Sequence, residues 1–358
     1  MAKNKGSLPL VLDMGTNGFR LLRLDQTKPM QPGEIYLKSL ATVDSPREFA
    51  VSTFIENPIM DAAPVDKALK DIIKQLKPNF EDTIVLLPDH AALINMMIAP
   101  SRYSRKEMEE AVKEDLTPVM PLPVDQWNIT YQTIGRWEED DITIALAIVK
   151  PNLLEVGALV QNAGVNPQVI DLNIFNDCNL IESYLTADEN KGKNIALVHL
   201  GNETTSIAVL RDGIIRTLVN RPVGGSDFTK QIAKHFHVPQ PDAEQFKRNE
   251  VFFLPEPSPE QEGLYNYTVI KNTFSGLVRE IFGALESYLS KFREFSINEV
   301  IIAGGGANFQ NIQVLLAGNL NIPVRPIADF YRLSVAGREL EAAERNVLSS
   351  ACGAFLRE

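Results

Sequence analysis

Val11-Leu12-Asp13-Met14-Gly15-Thr16-Asn17 is the stretch that decides the fold. An apolar run from Leu8 to Asp13 meets a glycine-containing turn and resumes from Phe19 to Leu24, which predicts a β-hairpin. A weak copy lies in the other half of the chain: Asp13-Met14-Gly15 aligns with His199-Leu200-Gly201, and Leu21 with Ile207. Two similar domains facing each other across a cleft would leave such a repeat. A tight glycine turn between strands presents backbone N–H groups in a concave nest, and such nests bind phosphate oxygens. Thr16, Asn17, Thr204 and Thr205 add short polar side chains, Arg20 adds positive charge, and Asp13 is an oxygen donor suited to a hydrated Mg²⁺. Taken alone, the same residues also spell an ordinary hairpin turn.

Outward from the first hairpin, strand-like and helix-like patterns alternate, which predicts an α/β architecture. Ala62 to Leu76 reads as an amphipathic helix and Thr83 to Leu87 as a strand closed by Pro88-Asp89. Ser104-Arg105-Lys106-Glu107 is a capping box opening a helix to about Leu116, and the prolines from Thr117 to Pro123 predict a loop. Ile142 to Val149 is a buried-type strand, with Pro151 opening the next helix. Three strands follow, Ile195 to Leu200, Ser206 to Leu210 and Ile214 to Val219, the last two joined by Arg211-Asp212-Gly213. Ser226 is the expected cap of a helix reaching Phe236, and Pro241 starts another through Arg248. Pro255 to Pro259 reads as a linker. Ile270, Phe274, Leu277, Ile281, Leu285, Tyr288 and Phe292 then form one apolar stripe along a long helix.

Two further features bear on a ligand. Ile301-Ile302-Ala303-Gly304-Gly305-Gly306-Ala307 reads as strand, glycine turn and helix, a geometry that lets a nucleotide approach the backbone. It matches neither the full dinucleotide pattern nor a P-loop. Glu244 and Lys247 lie three apart on one helical face, either holding ribose hydroxyls or forming a solvated ion pair. Gly225 closes the Arg221-to-Gly225 approach to the Ser226 helix. His235 and His237 are too poorly arranged to chelate together, Glu138 to Asp141 is an acidic hairpin tip, and Trp127, Trp137 and Cys178 read as packing residues.

Composition narrows the function. The chain has 358 residues, long enough for two or more cores. Its 35 Lys and Arg against 46 Asp and Glu give a net charge of −11, which argues against nucleic acid and against charge tethering to anionic lipid. No apolar run nears the roughly 18–20 residues of a membrane span, the N-terminus lacks the pattern of a signal peptide, and Cys178 and Cys352 are too few for a disulfide scaffold. A cytoplasmic protein is expected.

Together these residues resemble the actin/Hsp70/sugar-kinase superfamily, and more narrowly the PilM family of type IV pilus assembly. Asp13-Met14-Gly15-Thr16 through Arg20 resembles the first phosphate loop and His199 to Thr205 the second. Arg221 to Gly225, Asp227-Phe228-Thr229, and Ala243-Glu244 with Lys247 follow the family pattern, and Ala303 to Ala307 resembles its adenosine loop. Ser350 to Arg357 resembles its final helix.

The resemblance implies an actin-like two-domain fold with duplicated ribonuclease-H-like cores and inserted subdomains. The first core would comprise residues 1–50, 151–190 and 340–358, with a partner-binding insertion at 51–150; the second would comprise 191–225 and 296–339, with a small helical subdomain at 226–295. It implies ATP and Mg²⁺ as ligands, held by Asp13 (through water to the metal), Gly15, Thr16, Asn17, Arg20, Gly201, Asn202, Thr204, Thr205, Gly225, Glu244, Lys247, Gly304, Gly305 and Gly306. It further implies a cytoplasmic adaptor recruited to the inner membrane by a short N-terminal cytoplasmic peptide of a PilN-like protein, with pilus motor ATPases as further partners.

Two positions depart from the family. His199 stands where the second loop carries an aspartate, and Arg20 where the first carries a lysine. Asp13 and His199 are the candidates for any catalytic role, and the substitution at His199 implies at most slow ATP hydrolysis. A small-molecule kinase of the superfamily would need a substrate-deprotonating carboxylate that the sequence does not place. An FtsA-like membrane-attached filament protein would need a basic amphipathic helix, which Leu348 to Glu358 does not supply.

Overall fold

The computed structural model describes residues 8–29, 31, 33–51, 53–250 and 265–357. In chain order the first half holds β1 (Leu10–Gly15), β2 (Gly18–Leu24), β3 (Glu34–Val43), α1 (Ala62–Leu76), β4 (Asp82–Leu87) and β5 (Leu93–Pro100). It continues with α2 (Arg105–Leu116), β6 (Trp127–Trp137), β7 (Asp140–Val149), α3 (Lys150–Ala163), β8 (Asn166–Leu172), α4 (Asn173–Leu180) and the short α5 (Glu182–Leu185). The second half holds β9 (Asn194–Leu200), β10 (Thr205–Arg211), β11 (Ile214–Arg221), α6 (Gly225–Phe236), α7 (Gln240–Glu250) and α8 (Tyr265–Phe292). It ends with β12 (Glu299–Ala303), α9 (Ile312–Leu320), β13 (Val324–Pro326), β14 (Arg332–Val335), β15 (Arg338–Glu339) and α10 (Ala342–Ala354).

These strands form three sheets: β15-β14-β3-β2-β1-β4-β8, β11-β10-β9-β12-β13, and β5-β7-β6. The first two share a five-strand plan. In each, a three-stranded antiparallel meander (β1-β2-β3, β9-β10-β11) is extended from its first strand by two parallel strands (β4-β8, β12-β13). The repeat seen between the two glycine hairpins is therefore a repeat of whole sheets. The parallel strands are continuous apolar runs such as Val300-Ile301-Ile302-Ala303, buried on both faces, as a sheet covered by helices on each side requires.

Local signals carry several elements. Asp61 caps α1, its carboxylate accepting from the Ala63 N–H at 3.0 Å, and Val65, Leu69, Ile72 and Ile73 are buried on one stripe. Each such side chain contributes about 1.5–3 kcal/mol of burial. At α2 the capping box closes both ways: Ser104 Oγ accepts from the Glu107 N–H at 3.3 Å and Glu107 Oε2 from the Ser104 N–H at 2.7 Å. Met108, Val112 and Leu116 of α2 cover the third sheet over Ala99, Trp127, Ala145 and Ala147.

Other expectations change. Ser226 does not cap α6; the helix begins at Gly225 with Gly224 as its cap, and the Ser226 hydroxyl donates to Glu203 Oε2 at 3.1 Å. The glycine triplet does not run straight into α9: a 3₁₀ turn over Gly305–Asn308 intervenes, and Asn311 precedes the helix in a left-handed conformation. The expected loop at Thr117 to Pro123 contains a 3₁₀ turn, Thr117–Val119. Within residues 51–150, α1 packs on the first sheet and β4 pairs with β1, so only β5 to β7 and α2 stand outside that sheet. Within 296–339, β14 and β15 likewise join the first sheet, through β3. The linker read at Pro255 to Pro259 and the side chain of Ile270 lie outside the described residues. Among the described residues, no helix is long and apolar enough to cross a membrane.

Candidate functional site

The two glycine hairpins face each other across a cleft of about 800 Å³. It is lined by Asp13, Gly15, Thr16, Asn17 and Arg20 from the first hairpin and by His199, Gly201, Asn202 and Thr204 from the second. Gly225, Glu244 and Lys247 close one side, and Gly304, Gly305 and Gly306 another. Thr205 is the exception among the residues singled out from sequence. It begins β10, is fully buried, and donates its hydroxyl to the Val223 carbonyl at 2.8 Å. The two rims touch: Asn202 Nδ2 donates to Thr16 Oγ1 at 3.2 Å, and Arg248 Nη2 to Asn17 Oδ1 at 3.0 Å.

The glycines have different duties. A Cβ on Gly224 would stand 2.5 Å from the Asn202 carbonyl oxygen, and one on Gly201 2.7 Å from that of Thr204. These glycines let the second hairpin seat against α6, where Gly225 N–H and Ser226 N–H donate to the carbonyls of Gly201 and Asn202 at 3.0 and 2.7 Å. The first amides of α6 are thus spent on the protein. Gly305 is the opposite case, since a Cβ there would meet nothing within 4 Å.

The charged centre lies beneath the hairpins. Asp13 sits opposite Arg20 in the β1–β2 ladder, and Arg20 Nη1 donates to Asp13 Oδ2 at 2.9 Å. Burial pushes the Asp13 carboxyl above the usual carboxylate range, even though Arg20 pulls it down. His199 occupies the corresponding place on β9, with its Nδ1 2.7 Å from Asp177 Oδ2. Asp177 is fully buried and also accepts from Ser350 Oγ at 2.9 Å. Asp89, likewise buried, accepts from the Ile174 N–H at 2.9 Å and from Ser206 Oγ at 2.5 Å. Burial raises its carboxyl too, with the nearby His199 opposing.

Asp89 and Asp177 were not legible as site residues. Asp89 reads in sequence as the polar stop after a strand. Asp177 sits in Asn173-Ile174-Phe175-Asn176-Asp177-Cys178, where the one available signal is a row of polar residues within a helix that turns out to be mostly buried. Asn173 also lines the cleft, and its buried Oδ1 has no hydrogen-bond partner.

Glu244 and Lys247 pair, but not as a solvated face. Lys247 is only 6% exposed, and its ammonium donates to Glu244 Oε2 at 2.5 Å, Thr229 Oγ1 at 2.9 Å and the Gly225 carbonyl at 3.1 Å. An ammonium has three donors, so all are engaged in tying α7 to the start of α6. Burial lowers the Lys247 pKa; at Glu244 burial pushes upward, but Lys247 outweighs it and the carboxyl ends low.

His199 gives the protein a pH dependence. Burial alone would depress its pKa, but the carboxylates of Asp177, Asp89 and Asp13 outweigh burial and raise it to about 9 from the ordinary 6.5. A raised histidine stabilises the folded state fully below about pH 6.5, and that contribution is lost as pH rises through about 9. Between pH 7 and 9.5 the protein should lose up to about 3 kcal/mol, and His199→Gln should flatten this loss. Urea unfolding across that range measures it; equal slopes for the two proteins would contradict a charged imidazole.

The glycine cradle and the open space over Gly305 leave room for a phosphate-bearing ligand such as ATP, while the unpartnered Asn173 Oδ1 is an acceptor that a hydroxyl or amino group, not a phosphate, would satisfy. The donor set suits Mg²⁺ poorly: among the described residues no group of three or more His, Cys, Asp or Glu is placed to hold a metal ion.

Comparison with known proteins follows the same lines. A chain of a PilM-PilN type IV pilus biogenesis complex superposes with a TM-score of 0.80 at 21% identity, covering 97% of this chain and 97% of that one. The ethanolamine utilization protein EutJ from Carboxydothermus hydrogenoformans gives 0.52 at 13% identity, over 97% and 89%. The cell division protein FtsA of Neisseria meningitidis serogroup B is 28% identical over 159 residues, which is 40% of this chain and 38% of FtsA. The structural likenesses establish the actin-like α/β fold. The family model of the type IV pilus assembly protein PilM matches residues 12–358, and the chain belongs to that family.

Proposed function

We infer that this protein is a nucleotide-binding adaptor of a type IV pilus inner-membrane assembly complex. The match to the PilM family over residues 12–358 carries the reading, and the likeness to a chain of a PilM-PilN complex supports it. ATP is the nucleotide, lying between the hairpins with its phosphates over Gly15 to Asn17 and Gly201 to Thr204, and with the Gly304–Gly306 turn under the adenosine or its α-phosphate. An adaptor needs a bound nucleotide to hold its two halves, not turnover. The buried carboxylates of Asp13, Asp89 and Asp177 are already engaged by Arg20, Ser206 and His199, so none of these three stands free as a general base.

The partner is a short cytoplasmic segment of a PilN-like bitopic membrane protein, and it recruits this chain from the cytoplasm to the inner membrane. It docks on the three-stranded sheet or on that sheet's border with the first core. At this border Ile55, Met60 and Leu154 are exposed apolar side chains, Leu154 71% and Met60 65% exposed. Asn152 Nδ2 holds the Ile55 and Glu56 carbonyls at 3.3 and 3.0 Å, fixing that loop to the start of α3. Leu154→Asp is expected to reduce membrane recruitment at least tenfold on co-expression with the partner, while ATP protection against heat stays unchanged. Fractionation and melting curves test both. Unmodified protein that stays in the soluble fraction beside its partner would refute the adaptor role. A protein that melts identically with and without millimolar ATP would refute the nucleotide.

A further inference from the structure

Resting on the nucleotide reading above, we propose that this cleft takes ATP without a divalent cation, with Arg20 and the His199 ring supplying the positive charge against the phosphates. The buried carboxylates that would otherwise hold a metal, or its waters, already accept from protein donors. Asp13 Oδ2 accepts from Arg20 Nη1 at 2.9 Å. Both oxygens of Asp89 accept, from the Ile174 N–H and Ser206 Oγ, and both of Asp177 are taken, by Ser350 Oγ and His199 Nδ1. Of these three carboxylates, Asp13 alone keeps an oxygen, Oδ1, that accepts nothing from the protein, and one carboxylate oxygen is a thin site for a hard cation that demands near-octahedral oxygen ligation.

The ring of His199 is aimed. Its Nδ1 is fixed on Asp177, so its Nε2 edge is directed away from that carboxylate. The parallel register of β12 and β9 sets Ala303 opposite His199, and a Cβ on the next residue, Gly304, would lie 3.1 Å from both Cε1 and Nε2. The Nε2 edge therefore borders the glycine triplet that floors the cleft. Arg20 reaches the other hairpin turn, where Nη1 lies 3.4 Å from the Gly18 carbonyl and 3.3 Å from where a Gly15 Cβ would stand. Each hairpin thus brings one basic side chain to the place where phosphates meet its turn. A guanidinium also forms charge-assisted hydrogen bonds to phosphate without any metal.

The test is isothermal titration of the full chain with ATP, once in excess EDTA and once in millimolar magnesium. The expected result is dissociation constants within threefold of each other. His199→Asp should bind ATP at least tenfold more weakly in EDTA and regain most of that loss with magnesium. Should His199→Asp fail to unfold cooperatively, His199→Gln replaces it, with the same tenfold loss in EDTA. ATP binding to the unmodified protein that improves more than threefold with magnesium overturns the proposal and leaves the nucleotide reading standing. No binding in either condition overturns both.

Discussion

Gly353→Ala should destabilise the protein by about 3 kcal/mol or more, a cost at the upper end of what overpacking a core exacts. The cause is close approach of two helix backbones. Gly353 lies on α10 where that helix crosses α4, and an added Cβ would stand 1.8 Å from the Asn176 carbonyl oxygen and 2.6 Å from its carbon. No flexible side chain is there to swing aside, so one helix must move away from the other. Such a move pulls Ser350 from Asp177, now 2.9 Å apart, and loosens the carboxylate that orients His199. Urea unfolding measures the loss, with Gly283→Ala on α8 as the control. Gly283 is exposed, an added Cβ meets nothing within 4 Å, and alanine there should stabilise by about 0.5–1 kcal/mol. A Gly353→Ala protein within 1 kcal/mol of the parent, by that same ~1–3 kcal/mol scale for overpacking, would mean that α4 and α10 do not touch in this way.

Gly305→Val should remove nucleotide binding and leave the fold intact. The two neighbours show why the middle glycine is the informative one. A Cβ on Gly304 would meet the Leu200 carbonyl oxygen at 2.7 Å, in a backbone conformation with φ of +78°, and one on Gly306 would meet Leu200 Cβ at 2.6 Å. Substitution at either disturbs β9 and β12 directly. Gly305 faces open space within the cleft, so a valine there costs the free protein little, within about 0.5 kcal/mol as for other surface changes. A ligand at a hundred times its Kd adds about 2.7 kcal/mol of stability. The ATP concentration that gives the parent this protection should leave the melting temperature of Gly305→Val unchanged. Equal protection of both proteins would remove the nucleotide from the triplet.

What could be read from sequence was what is local in the chain. The hairpins, the stripe of α1 and the capping box at Ser104 depend on neighbours a few residues away, and periodicity alone places them. Ser226 satisfies the composition rule for a cap of α6, but its hydroxyl is drawn to Glu203 across a loop contact that no spacing predicts. Thr204 and Thr205 are indistinguishable in sequence. The first residue of β10 turns inward, and that alone separates a cleft wall from a buried strand bond. Glu244 and Lys247 pair as their spacing allows, but out of solvent, because Thr229 and Gly225 also take the ammonium. Asp89 and Asp177 are silent in the sequence because their partners are Ser206, His199 and Ser350, residues 117, 22 and 173 positions away.

The pairing of β14 with β3 has a consequence for how the chain is made. β3 leaves the ribosome early and finds β2 at once on one side, but its other neighbour, β14, begins only at Arg332. At roughly 5–20 residues per second of synthesis, that side of β3 waits on the order of tens of seconds. Through that interval it is an open strand edge, able to pair with another nascent chain. Helix α10, which covers α4, arrives later still. The first sheet therefore cannot mature ahead of the second as an N-terminal domain ordinarily would. Both are completed in the same final moments of translation, and a chaperone that shields β3 in the meantime would act on the part of the protein made first.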